Sequence, residues 1–136
     1  MIIDKISIME PLQIAATEES PGINFDKENN KFLIFGKSFP EEVKKFYNPV
    51  IFWLEEYVKE PNEESSFEFR LEYFNSATST IILEIFYILE RIIADANKKA
   101  KIVWNYLEVD DDMLETGQEY EEMIKIPFEF KLIEDY

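Results

Sequence analysis

The chain has 136 residues, 46% hydrophobic and 15% aromatic, with a net charge of −15 and neither histidine nor cysteine. That length and apolar content fit one folded domain with its own core. The acidic balance argues against nucleic acid and anionic membrane surfaces, both of which are recognised through lysine and arginine.

Without histidine the commonest general base, the Ser–His nucleophile pair and imidazole metal ligands are missing. Without cysteine there is neither a disulfide framework nor a thiolate zinc site. A binding or regulatory role therefore stands ahead of an enzyme. No run approaches the roughly 18 apolar residues of a membrane span, and Met1-Ile-Ile-Asp-Lys5 lacks a signal peptide's regions. A single cytoplasmic domain over residues 1–136 is the expectation.

Residues 1–11 form a weakly determined lead-in. Leu12-Gln-Ile-Ala-Ala-Thr17 reads as a short edge strand, ended by the turn chemistry of Glu18-Glu-Ser-Pro-Gly22. Ile23-Asn-Phe25 and Lys31-Phe-Leu-Ile-Phe35 form a hairpin around Asp26–Asn30. Ser38-Phe-Pro-Glu41 has the form of a capping box. It opens a helix whose apolar residues, from Val43 to Val58, recur at about 3.6 residues. Pro49 lies inside that helix and predicts a kink there.

A strand is expected over 67–74, with Phe67, Phe69, Leu71 and Tyr73 buried and Glu68, Arg70 and Glu72 wet. The next helix, from about Thr78 to Asn97, carries the broadest apolar stripe, beside a polar line of Thr80, Glu84, Tyr87, Arg91 and Asp95. Lys101–Leu107 is another strand. Asp110–Asp112 lead into a helix to about Ile124, interrupted at Gly117. The last strand is 126–132, with Pro127 pointing to an edge. Trp53 and Trp104 are expected in the core. The order β-α-β-α-β implies parallel neighbours, and the wet alternate positions imply helices on one face only. The fold class is a single-domain two-layer α/β sandwich, a mixed β-sheet with about three helices.

Between Phe74 and Ile81 lies the polar bridge Asn75-Ser-Ala-Thr-Ser-Thr80. Four hydroxyls before a helix usually cap it, but a strand-to-helix turn also sits where α/β domains place their sites. A phosphoryl group on Ser76 would bring about −1.5 to −2 charge to a helix N-terminus that tolerates anions. The acidic stretch 108–122 offers a rival, hard-oxygen metal ligation or carboxylate chemistry. It lacks the EF-hand's pattern, and capping explains its acids better, so no metal or cofactor is expected.

Three segments together resemble the SiaC-type biofilm regulatory phosphoproteins of bacteria. They are Leu71-Glu-Tyr-Phe-Asn-Ser76 before an apolar helix, Ile102-Val-Trp-Asn-Tyr106 before an acidic one, and Ile126-Pro-Phe-Glu-Phe130. The resemblance covers roughly residues 12–132. It implies a domain similar to the STAS fold of anti-sigma-factor antagonists, phosphorylated by a Ser/Thr kinase and dephosphorylated by a PP2C-like phosphatase. The unphosphorylated form is expected to bind and activate a diguanylate cyclase, with partner-switching on an anti-sigma factor as the alternative.

The family's acceptor follows the strand-end Asn, which falls on Ser76. The usual run is Asn-Thr-Ser-Ser, whereas here it is Asn75-Ser76-Ala77-Thr78, which makes Thr78 the second candidate. The partner surface is expected to combine Asn75, Ser76, Thr80, Glu84 and Tyr87, with Ser79 and Thr80 capping the helix.

Overall fold

In the computed structural model, which describes residues 9–136, the elements run β1 (Leu12–Ile14), β2 (Gly22–Asp26), β3 (Lys31–Ser38), α1 (Val43–Tyr57), β4 (Glu64–Phe74), α2 (Ser76–Ala94), β5 (Lys99–Leu107), α3 (Asp111–Met123) and β6 (Phe128–Ile133). The lead-in through residue 8 lies outside the described residues. The six strands form one sheet in sequential order, β1 to β6. β1, β2 and β3 pair antiparallel, and β3, β4, β5 and β6 pair parallel. The mixed, one-sided sheet read from the sequence is the one found.

Sequential parallel strands joined by crossovers of one hand place every helix on the same face. The aromatic contacts agree. Phe32 of β3 packs on Tyr57 of α1, Phe69 of β4 on Phe86 of α2, and Trp104 of β5 on Tyr120 of α3. Their registers put these strand residues on one face. Val50, Leu54, Phe86, Leu89, Ile92 and Ile102 are fully buried in the same layer. At about 25 cal/mol per Å² of apolar area, this layer supplies most of the driving force for folding. Both tryptophans are in it, Trp53 at 8% and Trp104 at 1% exposure.

Four local expectations change. Ser38 does not cap α1: it is the buried last residue of β3, and the position before the helix is Glu42, whose side chain makes no capping bond. The Ser38 hydroxyl is taken instead by Tyr47 and Thr78, at 2.8 and 2.9 Å. A buried polar group with partners in the core outcompetes a cap at the surface.

Tyr73 is not in the core either. Gly36 pairs with Leu71 but Lys37 pairs with Tyr73, so the ladder gains a residue at Glu72 and the alternation breaks. That bulge turns Tyr73 outward, 51% exposed, and brings Phe74 inward against Trp104. Beside the break, Gly36 holds φ +98°, a backbone state open to glycine at little steric cost.

α2 begins at Ser76, two residues before the predicted start, with Asn75 as its N-cap. Gly117 does not interrupt α3, which runs through it. A Cβ there would stand 2.5 Å from Trp104 Cδ1 and 2.8 Å from Phe130 Cε1. Glycine is what lets α3 lie flush on β5 and β6.

Candidate functional site

The parallel strands β3, β4 and β5 end at one edge of the sheet, where the crossovers to α1, α2 and α3 begin. The bridge after β4 lies there. Asn75 has extended backbone, and its side-chain oxygen accepts from the Thr78 N–H at 3.0 Å, covering one free donor of the first turn. Its own N–H donates to the Ser38 carbonyl at 3.2 Å. The helix start is thereby tied to the end of β3.

The four hydroxyls of the bridge have different fates. Thr78 is fully buried and donates to the Ser38 carbonyl at 3.0 Å. With that proton committed, the Ser38 hydroxyl donates to Thr78 Oγ1 and accepts from Tyr47, and every proton of the trio has an acceptor. Burial pushes the Tyr47 phenol up to about 12, against which the Ser38 contact works. Ser79 and Thr80 donate back to the Ser76 carbonyl, at 2.7 and 3.4 Å. They are first-turn residues satisfying a carbonyl, and the cap they were expected to provide belongs to Asn75. The exposed Ser76 hydroxyl has no hydrogen-bond partner among the described residues.

From Ser76 a ridge runs down α2. Thr80, Glu84 and Tyr87 follow at intervals of four, four and three residues, and all are exposed, Tyr87 by 48%. Such spacing keeps one helical face. The predicted partner-surface residues therefore share one ridge, with Asn75 half-buried at its head. Lower down, Arg91 pairs with Glu55 of α1.

The sequence did not reveal what flanks this ridge. A cleft of about 420 Å³ opens between α2 and α3, lined by Ser76, Ser79, Thr80, Glu119 and Tyr120 over the apolar Phe74, Leu83 and Met123. The Tyr120 hydroxyl donates to the Ser79 carbonyl at 2.8 Å and pins α3 to the first turn of α2. Burial raises that phenol well above its ordinary value. Among the described residues Glu119 is the one charged lining residue, and none of them supplies a cation in the cleft to clamp an added anion. On the same edge the exposed Phe39 and Tyr73 rings meet edge to face at 5.7 Å, and Val109 is 88% exposed. The alternation in β4 hid Tyr73, because nothing in the sequence announces a bulge.

Among the described residues no group of three or more Asp or Glu side chains is placed to hold a metal ion. Asp110, at the head of the acidic stretch, is the N-cap of α3 and accepts from the Met113 N–H at 3.0 Å, and Asp111 and Asp112 lie in its first turn. Their positions are those the helix dipole favours. No helix of the described residues is long and apolar enough to cross a membrane.

Fold and site together define a one-sided α/β domain that displays a free serine hydroxyl at a helix start, between an acidic cleft and exposed aromatics. Residues 14–133 match the model of the SiaC family of regulatory phosphoproteins, and the chain belongs to that family. An uncharacterised protein of Pseudomonas aeruginosa (strain UCBPP-PA14) is 24% identical over 120 residues, 88% of this chain and 94% of that one. The structure of SiaC of Pseudomonas aeruginosa superposes with a TM-score of 0.81 at 22% identity, over 92% of this chain and 100% of that one. A chain from the crystal structure of the diguanylate cyclase SiaD in complex with its activator SiaC, also of Pseudomonas aeruginosa, gives 0.83 at 23% identity, over 90% and 99% of the two chains. At these identities the superpositions establish the shared fold.

Proposed function

We propose that this protein is a non-catalytic switch in which a Ser/Thr kinase phosphorylates Ser76 and a PP2C-like phosphatase restores it. The free-hydroxyl form binds and activates a diguanylate cyclase. One observation carries the assignment to Ser76. Of the bridge hydroxyls, those of Thr78, Ser79 and Thr80 are already donated to carbonyls, whereas that of Ser76 is exposed and has no partner among the described residues. Thr78, the alternative acceptor, would have to leave the core and break the Ser38 contacts before a kinase could reach it.

The switch follows from charge. A phosphoryl group adds about −1.5 to −2 charge and three acceptor oxygens. At the first residue of α2 it meets a helix start that favours anions, so the domain stays folded. With Glu119 as the only charged lining of the cleft among the described residues, that charge points outward to whatever docks there. A partner surface matched to the neutral hydroxyl and the ridge Thr80, Glu84 and Tyr87 is then repelled and desolvated at a cost. The SiaD–SiaC complex supports a cyclase as that partner, since its activator has this fold.

The test is phosphopeptide mapping of protein purified from its own host, with cyclase stimulation assayed for the wild type, Ser76→Asp and Ser76→Ala. Ser76→Asp is expected to remain folded and lose stimulation, and Ser76→Ala to stimulate constitutively. A phosphate found only elsewhere, or full stimulation by Ser76→Asp, would refute the reading. Capture of an anti-sigma factor in place of a cyclase would move the output while leaving the switch residue intact.

A further inference from the structure

Among the described residues β6 is the last strand of the sheet and pairs with β5 on one side only. The Ile102 N–H donates to the Pro127 carbonyl at 2.8 Å. In a parallel ladder the bonding residues of one strand alternate. Residues 129, 131 and 133 therefore face β5, and Phe128, Phe130 and Leu132 turn their N–H and carbonyl groups to the open edge. Such an edge is a template for another strand. Its side chains carry a pattern as well. Phe128, Phe130 and Leu132 lie on the helix side, Leu132 at 55% exposure, while Glu129 and Lys131 are exposed on the other face.

We infer that the β6 edge pairs antiparallel with β6 of a second copy of this chain, about a twofold axis through Phe130. The charges select that register. Centred on Phe130, Glu129 of each copy stands opposite Lys131 of the other, and Phe128 stands opposite Leu132. A twofold axis at residue 129 would set Glu against Glu, and one at residue 131 would set Lys against Lys. The open backbone groups of Phe130 suit a hydrogen-bonded pair on the axis. The flanking Glu129–Lys131 pairs then fall at non-hydrogen-bonded positions, where side chains come closest.

Lys131 makes no ion pair among the described residues, while Glu129 already meets Lys101 at 2.6 Å. Across the junction Glu129 would lie between two lysines. Gly117 seats α3 over β5 and β6, so the α3 helices of the two copies lie on the same face of the continued sheet. None of the residues 128–132 lines the Ser76 cleft, so the pairing leaves it open in both copies.

Sedimentation velocity over a concentration series, near 0.15 M ionic strength, tests this on the wild type, Glu129→Lys and Lys131→Glu. The wild type should show a reversible monomer–dimer equilibrium, and each single variant should weaken it by roughly tenfold or more. Mixing the two variants should restore wild-type association, because the mixed dimer sets the lysines of one chain against the glutamates of the other. That rescue separates register from folding, since mixing restores no contact within either chain. A wild type monomeric up to about 1 mM, or variants that dimerise unchanged, or an equimolar mixture no tighter than its components, would each overturn the inference.

Discussion

Ser38→Ala removes one hydroxyl oxygen and little packing, so its cost is almost wholly polar. The Ser38 hydroxyl lies 2.8 Å from Tyr47 Oη and 2.9 Å from Thr78 Oγ1, and Ser38 is fully buried. Thr78 keeps its bond to the Ser38 carbonyl, which the substitution leaves in place. Tyr47, 1% exposed, loses the only side-chain partner its phenol has among the described residues. The lost bond to Thr78 at about 1 kcal/mol, plus about 1–2 kcal/mol for the orphaned Tyr47 hydroxyl, gives roughly 2–3 kcal/mol. For a domain of this size that lowers Tm by about 8–12 °C.

Tyr47→Phe should cost about 1 kcal/mol, because Ser38 retains Thr78. The double variant removes both ends of the broken contact and should be less destabilised than the sum by about 1 kcal/mol. Urea unfolding followed by far-ultraviolet circular dichroism gives all three values. The trio holds the start of α2 against β3, so Ser38→Ala should also loosen the backbone around Ser76, seen as faster amide exchange at 76–79. Strictly additive costs, or a neutral Ser38→Ala, would show that the buried hydroxyls are not coupled.

Four further outcomes are expected. Asn75→Ala should lose about 1 kcal/mol through the α2 cap, measured in the same urea titration. Gly117→Ala should cost about 1–3 kcal/mol by pushing α3 off Trp104, with a change in Trp104 emission. Tyr120→Phe should cost about 1 kcal/mol and raise exchange at the α2–α3 cleft, since it frees the Ser79 carbonyl. The Tyr47 phenol is raised from 10.0 unfolded to about 12 folded, so the folded state holds its proton more tightly. Its contribution is complete below pH 10 and is lost as pH rises through about 12. The loss, roughly 2–3 kcal/mol, should appear as alkaline unfolding that Tyr47→Phe blunts.

The sequence by itself determined the layers. Period-2 patterning in β4, 3.6-residue patterning in α1 and α2, and Pro127 near the start of β6 were enough for a mixed sheet covered on one side. These are local signals, written in neighbouring residues. The bridge at 75–80 was legible too, as a cluster of hydroxyls at a strand-to-helix turn.

Which hydroxyl is free was decided elsewhere in the chain. Thr78 is buried because Ser38, forty residues earlier, ends β3 directly beneath it, and the same contact took Ser38 away from capping α1. Tyr73 faces outward because β3 and β4 slip by one residue beside Gly36. The cleft exists because Tyr120 reaches the Ser79 carbonyl from α3. Periodicity reports which face of an element is apolar. It does not report which polar groups meet across the core, and among the described residues that is what leaves the Ser76 hydroxyl of the bridge without a partner.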